Sequence, residues 1–121
     1  MSRDWLILSD KRPVSGVTVA DVVKAVSAET GVQCDMIRSH KRDSVTASAR
    51  HIAMFLAWEM TGFSRVRIGK ALGGFDHSSV IYGCRQISDK LIKDEELRAT
   101  VSECRSRVIS FSPGPCRQGG G

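Results

Sequence analysis

Two consecutive glycines, Gly73 and Gly74, interrupt helical periodicity, and this narrows the fold more than any other feature. Before them, Ser64 can cap a short helix, Arg65 to Leu72, with Val66, Ile68 and Leu72 facing a core. After them, Asp76 caps a longer pattern carrying Val80, Ile81, Cys84, Ile87 and Leu91 at helical spacing. Paired glycines permit the positive φ values that a tight reversal needs. Two helices joined by so short a Gly-containing turn describe a helix-turn-helix.

The rest of the chain supplies helices for this unit to pack on. Thr18 with Asp21 resembles an N-cap with an acid in the first turn, and Val19, Val22, Val23 and Val26 follow at helical spacing up to Gly31. The stretch VADVVKAV is β-branched but does not alternate, so it reads as helix rather than strand. A helical turn is expected over Asp35 to Arg38, with Met36 and Ile37 inward, then a polar, basic loop from Ser39 to Ser48. Ala47 to Thr61 is a helix carrying Ile52, Phe55, Leu56, Glu59 and Met60, ended by Gly62. A last amphipathic helix covers Glu95 to Ile109 through Leu97, Val101, Cys104 and Val108. The expected fold is all-α, a compact bundle of five to six helices. A chain of 121 residues suffices for one such domain with a modest core. Its bounds are read as residues 17–110, between an arm (1–16) and a Pro- and Gly-rich tail (111–121) expected to be disordered.

Charge is distributed unevenly. The formal net charge is +5, but from Ile37 to Lys70 seven basic residues (Arg38, Lys41, Arg42, Arg50, Arg65, Arg67, Lys70) face two acids (Asp43, Glu59). From Ser88 to Arg107 the two signs balance, five against five. A localised basic surface is the footprint of a nucleic-acid binder. Other classes find little support. Cys34, Cys84, Cys104 and Cys116 form no closely spaced pair, so neither a zinc site nor a metal cofactor is expected. No base or oxyanion site accompanies Cys84, and an enzyme is not expected. The WLIL run at Trp5 to Leu8 is too short for a signal core or a membrane span, so the expected setting is cytoplasmic, with reduced thiols. Gly69-Lys70 is followed by Ala71 and preceded by no phosphate loop, so no nucleotide is expected either.

The residues after the glycines carry the chemistry. Asp76, His77, Ser78 and Ser79 are polar side chains in a row, and no single helix face can bury them all. At the start of a second helix they suit the major groove. Asp76 can accept from a cytosine amino group, His77 can donate to or accept from a base edge, and the serine hydroxyls suit bases or phosphate. His51 is either a contact or an ordinary surface residue, and His40 reads as solvated loop. Arg65, Arg67 and Lys70 are either a solvated helix face or one lying beside DNA. Arg38, Lys41 and Arg42 could be an ordinary charged loop.

From about Thr18 to Ile92 the sequence resembles the C-terminal DNA-binding domain of DnaA, the bacterial chromosomal replication initiator. GGFDHSSVIYGCRQI carries the resemblance, and it continues upstream through ARHIAMFLAWEMTGFSRVRIGKALGG. The resemblance implies a Trp-repressor-like bundle that binds double-stranded DNA. It implies that Arg42 enters a minor groove, that Arg50 contacts the phosphate backbone, and that Asp76 to Ser79 read the major groove. Lys41, His51 and Arg65 complete the candidate contacts. Phe75 replaces the arginine of the family signature, Trp58 stands where many initiators carry lysine, and Val66 where they often carry proline. The ATPase module of the initiators does not fit upstream, so the expectation is a DNA reader without a motor that regulates replication initiation or transcription and competes with a full-length initiator. A protein-interaction module on a degenerate version of this fold is the alternative.

Overall fold

The structure, a computed structural model, describes residues 17–111, and every regular element in them is helical. Helix α1 (Val19–Thr30) opens with a capping box: Asp21 N–H donates to Thr18 Oγ1, and Thr18 N–H donates to Asp21 Oδ2, both at 3.2 Å. A single helical turn, α2 (Cys34–Ile37), buries Ile37 and half-buries Met36. Then come α3 (Ser44–Thr61), α4 (Arg65–Ala71), α5 (His77–Lys93) and α6 (Glu95–Phe111). The expected arm, residues 1–16, and all of the expected tail but Phe111 lie outside the described residues.

Helix α3 runs through the middle and touches each of the other helices. Its buried residues include Ile52, Ala53, Met54, Leu56, Ala57 and Met60, which do not keep to one stripe. A helix apolar nearly all round belongs inside. Helices α1 and α6 pack together on one side of it, and α5 on another, with α4 against α5. Val22, Val23 and Val26 of α1 meet this core, as do Val101, Cys104 and Val108 of α6. Two ion pairs fasten α6 at its polar margins: Arg105 to Glu59 at 2.6 Å and Arg107 to Glu29 at 3.0 Å. The buried thiols of Cys84 and Cys104 are each pushed up to about 12, chiefly by burial, so they act as small apolar side chains.

Three sequence expectations need correction. Helix α3 begins at Ser44, not Ala47, because Asp43 Oδ2 accepts from Thr46 N–H at 3.1 Å and caps it there. Its first turn, Ser44-Val45-Thr46, is made of weak helix formers and hides the start. Val66 does not face the core but is 51% exposed, since α4 buries only the stripe of Ile68, Gly69 and the adjoining Leu72. Helix α6 runs to Phe111, two residues past the expected end at Ile109.

Two helical glycines sit where another part of the chain passes closely. A Cβ on Gly69 would collide with the backbone carbonyl of Phe75, whereas one on Gly83 would lie 2.6 Å from the Met54 sulfur. A thioether can swing aside and a turn carbonyl cannot. Gly69→Ala is therefore expected to cost about 1–3 kcal/mol through overpacking. Gly83→Ala should cost less, because the helix preference for Ala of ~1 kcal/mol offsets its milder crowding. Urea unfolding of the two variants beside the parent protein checks this order.

Candidate nucleic-acid interface

The turn after α4 is closed by one acceptor. Gly69 O receives the N–H groups of both Gly74 and Phe75, at 3.0 and 2.9 Å. Gly73 and Gly74 take φ of 120° and 90°, values L side chains rarely adopt, and so reverse the chain. Asp76 then caps α5, its Oδ1 accepting from Ser79 N–H at 3.0 Å. This backbone hydrogen bond, first among the causes, holds the Asp76 carboxyl below its ordinary pKa. One oxygen of the expected base reader is thus engaged in holding the helix start. Val80, Gly83, Cys84 and Ile87 are buried on one side of α5, while His77, Ser78, Tyr82 and Arg85 are exposed on the other. The inner face fixes the helix and leaves the outer face for a partner.

Arg50, expected from the resemblance at phosphate, is only 6% exposed. Its Nε donates to Ile37 O at 3.0 Å and its Nη2 to Lys41 O at 2.7 Å. Its guanidinium carbon lies 5.3 Å from the centre of the Phe75 ring. One side chain of the central helix thereby gathers the end of α2, the basic loop and the turn before α5. Burial lowers the Arg50 pKa, partly opposed by the nearby Asp43. Its two carbonyl acceptors and the ring face are what make a cation tolerable there.

Two shallow grooves adjoin at this point, and Arg50, Phe75, Asp76 and Ser79 line both. One continues past His51, Ser78 and Tyr82, the other past His40, Arg42 and Gly74. The fold thus brings Arg42 of the loop beside the first turn of α5, although 34 positions separate Arg42 from Asp76. Lys41 and His77 are exposed nearby but line neither groove. Arg65 stands apart. It is half-buried, its guanidinium carbon lies 5.4 Å from the Trp58 ring centre, and its Nε is buried without a hydrogen-bond partner. His51 is half-buried with its ring edge-on to Tyr82 at 5.6 Å. Burial, then Arg50 and Lys90, holds its pKa below the ordinary histidine value.

Sequence reasoning missed two features here. Tyr82 is 57% exposed one turn beyond Ser78 on the outer face of α5, which helical spacing could have flagged. His40, read as solvated loop, is exposed but stacks on Phe75, with ring centroids 4.1 Å apart. No local pattern announces that pair. Among the described residues, no three His, Cys, Asp or Glu side chains gather as a metal site. No helix among them is long and apolar enough to cross a membrane.

The comparisons with known proteins converge on the same stretch. The chain is 34% identical over 92 residues to the chromosomal replication initiator protein DnaA of Chloroflexus aurantiacus, which covers 76% of this chain and 19% of that protein. The DnaA of Thermodesulfovibrio yellowstonii is 32% identical over 103 residues, covering 85% of this chain and 23% of the relative. That of Treponema pallidum is 33% identical over 92 residues, 76% of this chain and 20% of the relative. The chain thus spans about a fifth of the length of these relatives. The family described as the bacterial DnaA protein helix-turn-helix matches residues 19–87, from the first residue of α1 to the last buried contact of α5. With its glycine turn, capped second helix and adjoining basic loop inside that match, the chain belongs to the DnaA helix-turn-helix family.

Proposed function

We propose that this protein binds double-stranded DNA sequence-specifically, with the first turn of α5 in the major groove and the basic loop at the neighbouring minor groove. The observation that carries this reading is the juxtaposition of Arg42 and the α5 N-terminus around one pair of adjoining grooves. His77 and Ser78 are exposed for base edges, and Asp76 keeps one carboxylate oxygen beyond its capping bond. Ser79 and Lys41 suit phosphate, as do the unpaired N–H groups at the start of α5. Arg42, exposed in the loop, suits the negative potential of a narrow A·T-rich minor groove. Arg50 supports contact mainly from within, by holding the Lys41 carbonyl, and His51 and Arg65 flank the contact. The biological use that fits is regulation of replication initiation or transcription at sites like those of the initiator, in competition with it. The relatives named as chromosomal replication initiators support that choice of site.

If about four to five phosphates are neutralised, log affinity falls against log salt with a slope of about −4. Anisotropy titrations of a labelled duplex from ~50 to ~200 mM salt measure this, and a flat response would sink the DNA-binding reading.

His77→Ala is expected to cost roughly 1–3 kcal/mol on a selected site and little on random duplex. Arg42→Ala should reduce the preference for A·T-rich flanks while leaving the unfolding transition unchanged. Arg50→Ala differs in kind: it should lower both DNA affinity and stability, since it leaves the carbonyls of Ile37 and Lys41 without their donor. Parallel binding and thermal-unfolding measurements on the three variants separate reading, shape recognition and support. Equal losses for His77→Ala on both duplexes would mean that His77 does not read bases.

A further inference from the structure

We propose that His40 and Phe75 are positioning residues whose stacked rings fix the basic loop against the helix-turn-helix turn, so that Arg42 and the start of α5 meet one duplex in a set register. The proposal rests on the DNA-binding reading above and adds how the two halves of the site are held together.

The rings lie 4.1 Å apart between centroids with their planes 16° from parallel. His40 Nε2 is also 3.2 Å from Gly73 O, the geometry of a ring N–H donating to the carbonyl. One loop side chain thereby grips the turn at two residues, Gly73 and Phe75. From its other neighbour, Phe75 receives the Arg50 guanidinium at 5.3 Å, and Arg50 in turn holds Lys41 O at 2.7 Å. Two of the three lines of contact from the loop to the turn before α5 therefore end on Phe75, and His40 supplies the third through Gly73 O.

The placement of these residues in the chain explains the consequence. His40 stands two residues before Arg42, and Phe75 immediately precedes the capping Asp76. The remaining bonds of the loop are local: Ser39 Oγ donates to Met36 O at 2.7 Å, Lys41 N–H donates to Ser39 Oγ at 3.3 Å, and Asp43 caps α3. None of these ties the loop to the turn before α5. Without the ring stack, Arg42 would sample several positions, and binding would have to select one of them. An aromatic pair of this kind is worth about threefold to tenfold in affinity when it pre-orders a contact.

The test uses the full chain and duplexes that share one selected core between A·T-rich or G·C-rich flanks. His40→Ala and Phe75→Leu should each weaken binding to the A·T-flanked duplex by about threefold to tenfold and shrink the flank preference. Arg42→Ala added to His40→Ala should cause little further loss, whereas alone it costs the full effect. His40→Phe and Phe75→Tyr, which keep the stack, should recover most of the affinity. Circular-dichroism melts accompany each variant, and because the His40 side chain is exposed, His40→Ala carries the test even if Phe75→Leu folds poorly. If Arg42→Ala costs as much beside His40→Ala as in the parent, the rings do not position it and the proposal falls. His77→Ala keeps the two readings apart. Loss with His77→Ala but none with His40→Ala overturns the positioning role alone, and failure of the parent protein to bind any duplex overturns both.

Discussion

Everything in this structure is arranged around the burial of α3. Its neighbours on every side contribute apolar side chains, and it in turn buries residues as bulky as Phe55, Leu56 and Trp58. A helix covered all round cannot shift without disturbing all of its contacts, because packed interiors have few voids to absorb movement. The same helix carries Arg50, the buried cation whose donors reach the end of α2 and the loop and whose guanidinium lies against the Phe75 ring of the turn. The loop and the turn are thereby tied to the helix that touches all the others. A recognition surface made of short segments needs such a reference, since local segments open most readily where buried contacts are few.

The positions that depart from the family pattern acquire a common physical reading. Phe75 replaces an arginine and offers its face to Arg50 and its plane to His40. Trp58, where many initiators carry lysine, is 5% exposed and lies beneath Arg65. In both places an aromatic ring lies against a neighbouring arginine. Each such contact is worth about 0.5–2 kcal/mol depending on how dry it is. Val66, in the place often taken by proline, stays exposed at the first turn of α4, and nothing in the structure explains the exchange.

Much of the candidate site was legible before the fold was known, because its pieces are local. A glycine pair, a capping Asp and a run of His and Ser can be read within a few residues, since turns, caps and helix faces depend on near neighbours. The less legible pieces are distant pairings. His40 and Phe75 are 35 positions apart, and nothing in SHKR or GGFD signals that their rings meet. Arg50 is expected from the resemblance at the phosphate backbone, and only packing shows that it is buried.

The sequence by itself determined the helices, their order and the turn between α4 and α5, because apolar spacing, capping side chains and paired glycines act over a few residues. It also placed a basic excess before a polar helix start, which is enough to point to nucleic acid. Only the tertiary structure decided that Val66 stays outside, that Arg50 is a strut within the protein, and that the loop carrying Arg42 lies beside Asp76 and Ser79. The reason is burial. Whether a side chain faces solvent depends on what the rest of the chain brings against it, and that is settled only when α3 has been enclosed on all sides.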